Sequence, residues 1–317
     1  MSGDRPGFVY VGAAAGLEGL TAALGDRARA IHVAAEPGPL ADALTTASAF
    51  IDASMKVRIT DAMVAAAPQL GVISTATTGS DHIERAELDR RGIPVRTLRE
   101  DPELLLGLTP AAELTWSLLM ALARRLVPAV QHVRKGGWDR EEFPGVMLRG
   151  KTLGLLGCGR IGQWMARYAK AFDMRVVGHD PFLAQWPDDI ERVEREEVCA
   201  QADFVSVHVH LSDATRGLMG AKMFGLMRPT AYFLNTSRGA VADEAALLDA
   251  LQQGRIAGAG VDVLDGEPDV TDHPLRLYAE THDNLLITPH CGGFSPDAVR
   301  IVCRRAGEKA LETLGLG

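Results

Sequence analysis

Three side chains in the second half of the sequence carry groups suited to proton transfer on an anionic compound. Arg238 lies in 235–239, Glu267 in 260–268, and His290 ends a Thr-Pro-His triplet. A guanidinium presents a planar fork to a carboxylate. An imidazole exchanges protons near neutral pH, and a neighbouring carboxylate orients it and favours its protonated form. Taken singly, Arg238 could cap a helix, Glu267 could be a surface acid and His290 could be a core histidine. Together, at the ends of successive predicted strands, they predict an acid–base site.

A glycine motif precedes these residues. Gly157, Gly159 and Gly162 form Gly-x-Gly-x-x-Gly after a buried-strand pattern and at the start of an amphipathic helix. Such glycines allow a tight turn, close approach of a pyrophosphate to the backbone, and helix–strand packing. Asp180 ends the next strand, where a carboxylate binds ribose hydroxyls and repels a 2′-phosphate, and 181–185 contain no Arg or Lys. The motif therefore predicts NAD rather than NADP as the cofactor.

These motifs lie at the ends of predicted strands. Valine- and isoleucine-rich runs alternate with segments of helical period, which is typical of parallel sheets with helices on both faces. The predicted strands are 8–11, 30–34, 49–52, 71–75 and 94–97 in a first series, and 152–156, 175–178, 204–208, 230–235, 258–263 and 284–288 in a second. Ligands of such sheets bind at the carboxyl ends of the strands.

Helices are predicted between these strands and at the end of the chain. Those of the first series are 17–24, 40–46, 60–67 and 83–91. A longer helix opens at Thr109-Pro110 and continues towards Lys135, where Gly136-Gly137 stops it. The last helix covers 296–314. The pattern predicts two doubly wound α/β lobes joined near residue 100 and again near residue 288.

The composition is that of a folded protein of about two domains. The 317 residues are 47% hydrophobic and 23% charged, which excludes disordered, collagenous and disulfide-scaffold proteins. A net charge of −8 disfavours nucleic acid or anionic lipid as a partner.

The cysteines and the apolar runs indicate in which cellular compartment the protein is expected. Four widely spaced cysteines without a Cys-x-x-Cys pair predict reduced thiols in a cytoplasmic protein. The uncharged run 114–123 is too short to span a bilayer, and residues 7–17 fit a first strand and turn better than a secretion signal.

At this point the sequence resembles the NAD-dependent D-isomer-specific 2-hydroxyacid dehydrogenases, over nearly the whole chain and most specifically over 150–295. The resemblance implies that Arg238 binds the substrate carboxylate and polarises its 2-keto group, and that Glu267 and His290 form the acid–base pair. It also implies a small 2-keto or 2-hydroxy acid as substrate. The implied fold is a Rossmann NAD-binding domain (100–287) inserted into a flavodoxin-like substrate domain (1–99 and 288–317).

The same resemblance assigns further residues. The implied cofactor-binding set is Gly157, Gly159, Arg160, Ile161, Gly162, Asp180, His208, Thr215, Thr236 and Asp262. The implied substrate-binding set is Ser54, Met55, Thr78, Gly79, Ser80 and Arg238. A homodimer is implied as well, because the family builds such an interface around the long helix that opens at Pro110.

Departures from the family pattern leave alternatives. His210 replaces a proline that usually lines the cofactor cleft, and two alternate histidines without a third ligand predict no metal site. A Gly-Ser-Asp-His stretch resembles formate dehydrogenases, which makes formate or phosphite oxidation an alternative, although those enzymes pair the catalytic histidine with glutamine. A non-catalytic, NAD-sensing protein similar to transcriptional corepressors is the alternative from another class.

Overall fold

The computed structural model describes residues 5–317, which divide into two compact units. Unit 1 contains the described residues up to Leu108 together with Gly293–Gly317, and unit 2 contains Thr109–Gly292. The sequence expectation placed the two divisions after residues 99 and 287. The short helical segments that follow residue 97 therefore lie in unit 1.

Unit 1 contains a parallel sheet of five strands. The strands are β1 (Gly7–Val11), β2 (Arg29–His32), β3 (Ala49–Asp52), β4 (Val72–Thr75) and β5 (Val95–Arg96). Their order is β2-β1-β3-β4-β5, and every pairing is parallel. This is the flavodoxin-like order that the family resemblance implies, and ligands of such sheets bind where the strand order reverses.

Helices pack on both faces of this sheet. The helices of unit 1 are α1 (Ala14–Leu24), α2 (Pro37–Leu44), α3 (Asp61–Ala65), α4 (Ala86–Arg91), α5 (Pro102–Leu106) and the C-terminal α13 (Pro296–Thr313), with a 3-10 turn at Leu98–Glu100. Two apolar cores result because successive strand residues point to opposite faces. Val9 belongs to one core, whereas Phe8 and Tyr10 belong to the other.

Unit 2 contains a parallel sheet of seven strands. The strands are β6 (Thr152–Leu156), β7 (Arg175–His179), β8 (Glu191–Arg192), β9 (Phe204–Val207), β10 (Tyr232–Asn235), β11 (Gly258–Val261) and β12 (Leu285–Ile287). The order β12-β11-β10-β9-β6-β7-β8 is that of a Rossmann domain with one extra strand. The order reverses between β6 and β9, so the carboxyl ends of these strands form the expected binding edge. The two-residue β8 was missed because Glu191-Arg192 lacks an apolar pattern.

The helices of unit 2 correct one prediction. They are α6 (Pro110–Ala123), α7 (Leu126–Arg134), α8 (Arg160–Ala171), α9 (Arg195–Gln201), α10 (Ala221–Leu226), α11 (Glu244–Gln252) and α12 (Pro274–Ala279), with a 3-10 turn at Gly239–Val241. The single helix predicted from Pro110 towards Lys135 is wrong, since α6 and α7 are separate. Pro128 has no N–H to donate to the carbonyl of Arg124, and Arg125 takes a left-handed conformation with φ 48°.

One stretch has the length and composition of a membrane-spanning helix. Pro102–Ala123 is 22 residues long with a mean hydropathy of 1.4. The structure divides it between α5 and α6, and Leu118, Leu119 and Leu122 of α6 lie in a core of unit 2. Core helices of globular proteins pass the same hydropathy test, so the stretch is weak evidence for a membrane span.

Candidate active site

The glycine loop connects β6 to α8 as the motif predicts. Gly157 has φ 92°, and a Cβ there would lie 2.4 Å from the carbonyl oxygen of His208. A Cβ on Gly162 would lie 2.4 Å from the carbonyl oxygen of Gly157, so the third glycine permits close helix–loop packing. Gly159 is the N-cap of α8, and a Cβ there would meet no protein atom within 4 Å. The helix N-terminus is thus open to a phosphate, as a dinucleotide requires.

Asp180 follows β7 and is tied to this loop. Its Oδ2 accepts the N–H of Cys158 at 3.0 Å, and its Oδ1 accepts the N–H of Phe182 at 3.0 Å. Each carboxylate oxygen accepts about two hydrogen bonds, so acceptor positions remain for ribose hydroxyls. The neighbouring Arg160 begins α8, and burial lowers the pKa of its guanidinium. Loop, helix end and carboxylate together fit NAD.

The Arg238 segment is organised by an asparagine. Asn235 ends β10, where its side-chain oxygen accepts the N–H and the hydroxyl of Ser237, and its Nδ2 donates to the carbonyl of Arg238 at 2.9 Å. The Arg238 guanidinium donates to the carbonyl of Ser237 at 2.7 Å. A Cβ on Gly239 would lie 2.2 Å from the backbone of Leu264 and Asp265. Only glycine permits this approach, which brings the arginine segment against the segment that carries Glu267.

A second carboxylate closes the loop that carries Glu267. Glu244, at the start of α11, accepts the N–H of Asp265 at 2.9 Å and pairs with Nε2 of His273 at 2.9 Å. The imidazole of His273 also accepts the N–H of Leu275 through Nδ1, which caps α12. Residues 265 and 273 are thereby held by one side chain, and burial raises the pKa of the Glu244 carboxyl.

Asp262 holds the segment that carries His290. Its side chain is almost fully buried, and Oδ1 accepts the Thr288 hydroxyl at 2.5 Å and the Cys291 N–H at 2.9 Å. Oδ2 accepts the Gly292 N–H at 2.7 Å, and the main-chain oxygen accepts the His290 N–H at 2.8 Å. The family resemblance implies a cofactor role for Asp262, which stays a prediction; within the protein its carboxylate organises the segment after β12.

Glu267 and His290 form a direct pair. His290 Nδ1 lies 2.5 Å from Glu267 Oε1, and the side chains are 37% and 30% exposed, in the order His290 and Glu267. His290 adopts a left-handed conformation with φ 49°. Within residues 5–317, Nε2 of His290 has no hydrogen-bond partner. The pair therefore presents an oriented imidazole nitrogen that can give or take a proton.

The other predicted cofactor residues lie on neighbouring segments. His208 follows β9; its Nε2 lies 2.8 Å from the Ser206 hydroxyl, and burial lowers its pKa to about 3, which keeps it neutral. The Thr215 hydroxyl donates to the carbonyl of His210 at 2.6 Å and accepts the N–H of Ser212, so it closes a turn. The Thr236 hydroxyl lies 2.7 Å from that of Thr115 on α6. Ile161 lies in the first turn of α8.

The predicted substrate-binding residues lie in unit 1, after β3 and β4. Ser54 and Met55 donate their N–H groups to Asp52 Oδ1 at 2.9 and 3.3 Å. The N–H groups of Thr78, Gly79 and Ser80 donate to no group in residues 5–317. Consecutive N–H groups of this kind suit an anion. Within the same described residues, no group of three His, Cys, Asp or Glu side chains is arranged for a metal ion.

Comparison with protein families gives two matches. The D-isomer specific 2-hydroxyacid dehydrogenase NAD binding domain matches residues 116–292, and the catalytic domain of the same description matches residues 24–100. The chain belongs to this family. The sequence-based assignment to the D-isomer-specific 2-hydroxyacid dehydrogenases is therefore confirmed, and NAD is the cofactor named for the domain that contains the glycine loop.

Individual relatives support the same family assignment. The glyoxylate reductase of Thermococcus litoralis is 38% identical over 242 residues, which cover 73% of this chain and 70% of the relative. The D-3-phosphoglycerate dehydrogenase of Methanocaldococcus jannaschii is 37% identical over 245 residues, which cover 76% of this chain but 45% of the relative, so the chain spans about half the length of that protein. The crystal structure of the TT0316 protein from Thermus thermophilus has a TM-score of 0.84 and 34% identity, with 97% of both chains covered.

Sequence reasoning missed the residues that hold these segments in place. Glu244 follows the N-cap Asp243 and has the pattern of an ordinary acidic residue in a first helical turn. Asn235 and His273 form hydrogen bonds with main-chain groups, and Gly239 permits a close backbone approach. In the sequence, only their position at or just after the end of a predicted strand marks Asn235 and Gly239 as candidates. Asp52 ends a buried strand, where a carboxylate is unusual, and that signal was available.

Proposed function

We propose that the chain is an NAD-dependent oxidoreductase that interconverts a small 2-keto acid and the corresponding 2-hydroxy acid. The observation that carries this proposal is the Glu267–His290 pair, whose Glu267 lies on the segment that packs against the Arg238 segment at Gly239. Arg238 follows β10, Glu267 follows β11 and His290 follows β12. These are the groups required to hold an α-keto acid and protonate its carbonyl oxygen.

The proposed roles follow from the chemistry of each group. Bound NADH supplies the hydride, and the protein supplies position and charge. The Arg238 guanidinium binds the substrate carboxylate and polarises the 2-keto oxygen. His290 donates a proton from Nε2 to that oxygen in reduction and accepts it in oxidation. Glu267 accepts a hydrogen bond from Nδ1–H of His290, which fixes the orientation of the ring.

The N–H groups of Thr78, Gly79 and Ser80 are proposed to bind an anionic group of the substrate, and Ser54 and Met55 on the loop after β3 are proposed to contact it as well. The free N–H groups at 78–80 support this role. The names of relatives differ between glyoxylate reductase and D-3-phosphoglycerate dehydrogenase, so the proposed substrate is the class of short 2-keto acids.

A panel of 2-keto acids with NADH, followed by nicotinamide absorbance, tests the function. We expect oxidation of NADH with at least one member, and loss of that activity in His290→Ala. Reduction of NAD by formate or phosphite, with no turnover of keto acids, would instead support the alternative oxidation reaction. NADH binding without turnover of any compound would support the NAD-sensing class.

Cofactor selectivity is proposed to depend on Asp180. Its carboxylate would repel the 2′-phosphate of NADPH and accept hydrogen bonds from the ribose of NADH. Titration by nicotinamide fluorescence should show much tighter binding of NADH, and Asp180→Ala should narrow the difference. Comparable dissociation constants for both cofactors in the wild type would contradict this role.

We also propose a cytoplasmic homodimer. Apolar side chains on and after α7 are 38–89% exposed: Leu126, Val127, Val130, Val133 and Trp138. A surface patch of this kind is typical of a protein interface. All four cysteines are free thiols, as expected in a reducing compartment. Light scattering after gel filtration should give twice the chain mass, and a monomer at micromolar concentration would contradict the proposal.

A further inference from the structure

A buried Asp–His pair lies beneath the two loops of unit 1 that the proposed function assigns to the substrate. Asp52, at the end of β3, is 2% exposed, and its Oδ2 lies 2.6 Å from Nε2 of His82. The side chain of His82 is 11% exposed. His82 belongs to the loop after β4, the strand next to β3. The pair therefore joins two loops that are 30 residues apart in sequence.

The same carboxylate organises the first loop. Asp52 Oδ1 accepts the N–H of Ser54 at 2.9 Å, the hydroxyl of Ser54 at 3.1 Å and the N–H of Met55 at 3.3 Å. Met55 has φ 55°, a conformation that L residues with side chains rarely adopt. The hydrogen bonds to Asp52 hold this turn in place.

The second loop is shaped by its own hydroxyl groups and by His82. Thr75 donates to the carbonyl of Thr77 at 3.1 Å, and Thr77 donates to the carbonyl of Gly79 at 2.7 Å. The main-chain oxygen of His82 accepts the N–H of Ile59 at 2.9 Å. These contacts direct carbonyl oxygens inward and leave the N–H groups of 78–80 for a ligand.

Charge favours the pairing of Asp52 with His82. The other titratable groups that face the carboxylate are Tyr10 on β1 and Cys303 on α13. Burial raises the pKa of both, that of Cys303 to about 12, so both stay neutral. A buried carboxylate requires hydrogen-bond donors or a cation, and His82 provides one through Nε2.

We propose that Asp52 and His82 are positioning residues that hold loops 53–56 and 77–80 in the geometry that receives the substrate carboxylate. This inference rests on the proposed function. Because the loops bind substrate without touching the reacting carbonyl, their loss should weaken ground-state and transition-state binding alike, which raises KM and leaves kcat nearly unchanged.

The experiment combines hydrogen exchange with kinetics on the full chain. Asp52→Ala should speed amide exchange in both loops, and His82→Leu should speed exchange in 53–56 although residue 82 lies outside that segment. Both should raise KM for the keto acid about 10–100-fold, with kcat within about threefold. His82→Gln keeps a donor for Asp52 and should restore most of both readouts. Asp52→Asn, which keeps the shape and the acceptor for Ser54, replaces Asp52→Ala should the latter not fold.

Arg91→Ala is the matched control. Arg91 donates to the carbonyls of Val64, Pro68 and Leu70, before β4 and therefore at the opposite edge of the same sheet. Its loss should lower the melting temperature without changing KM or exchange in the two loops.

Unchanged loop exchange in folded Asp52→Ala or His82→Leu would overturn the inference, as would equal effects of Arg91→Ala on the same loops. Faster exchange with unchanged KM would also overturn it, since the loops would then be held without serving the substrate. If the wild type reduces no 2-keto acid, the proposed function fails. In that case the exchange data alone decide whether the pair holds the loops.

Discussion

Two hydrogen-bonded glutamate–histidine pairs of unit 2, Glu244–His273 and Glu267–His290, differ in what the second imidazole nitrogen does. In Glu244–His273, Nε2 meets the carboxylate and Nδ1 accepts the N–H of Leu275, with side chains 16% and 12% exposed. In Glu267–His290, Nδ1 meets the carboxylate, and Nε2 has no partner in residues 5–317. The first pair uses both nitrogens within the protein, one on a carboxylate and one on a backbone N–H. The second leaves one nitrogen for the proton transfer that the proposed function assigns to it, so the same two residue types are held in two different ways.

The largest expected effect separates the two histidines. His290→Ala should reduce kcat/KM about 10²–10⁴-fold, the range for a lost general acid or base. His273→Ala should lower the free energy of unfolding by about 1–3 kcal/mol, because the acceptor for the N–H of Leu275 and a partner of Glu244 are lost. Steady-state kinetics and urea denaturation of both variants measure this. Equal loss of activity in His290→Ala and His273→Ala would show that the two histidines do not differ in role.

Arg238→Lys tests whether the Glu267–His290 pair acts together with Arg238. An ammonium keeps the charge but not the two-pronged contact. We expect kcat/KM to fall roughly 10–100-fold, the equivalent of about 1.5–3 kcal/mol for charge-assisted hydrogen bonds, with changes in both KM and kcat. Arg255→Lys, in a surface pair with Asp249, is the control and should be nearly neutral. Wild-type kinetics for Arg238→Lys would place the anion-binding group elsewhere.

Substitution of each glutamate by glutamine sharpens the comparison. Glu267→Gln keeps the shape and removes the charge beside the His290 imidazole, so kcat should fall. Glu244→Gln should leave kcat nearly unchanged, because Glu244 contacts His273 and not His290. Steady-state kinetics of both variants measure this, and a wild-type kcat in folded Glu267→Gln would refute the acid–base pair.

The smallest effect concerns stability. Burial raises the pKa of the Glu244 carboxyl, so the folded protein keeps this proton to higher pH than the unfolded chain. As pH rises from the ordinary glutamate value of about 4.3, the unfolded chain loses the proton first, and stability declines until the folded carboxyl ionises. Urea denaturation between about pH 4 and 7 should show this decline in the wild type and a flatter curve in Glu244→Gln. Parallel curves would show that Glu244 titrates alike in both states.

Sequence periodicity was sufficient for the two parallel sheets, because buried strands of this class are short apolar runs. It failed between α6 and α7, where Pro128 interrupts a continuous helical pattern, and at β8, whose two charged residues form an edge strand. The glycine loop was also predictable, because a side chain at Gly157 or Gly162 would clash with a main-chain carbonyl oxygen.

The contacts that hold the candidate site were harder to predict from the sequence. Glu267 and His290 are distant in sequence, and their contact depends on backbone turns held by Asp262, Glu244 and Gly239. Those residues act through main-chain N–H groups and close packing, which leave no period or spacing in the sequence. The assignment of Thr215 and Thr236 to the cofactor stays a prediction, and the structure shows both hydroxyl groups engaged within the protein.

The left-handed backbone at His290 has a consequence for how the protein can change. A residue with a side chain at φ 49° loses about 1–2 kcal/mol relative to an ordinary conformation, whereas glycine adopts it freely. If His290 transfers the proton as proposed, stability and activity make opposite demands on this position. A laboratory selection for heat resistance alone is expected to accept glycine or asparagine at 290 and discard the imidazole, whereas a selection that also demands turnover will retain histidine and seek its stabilising changes elsewhere.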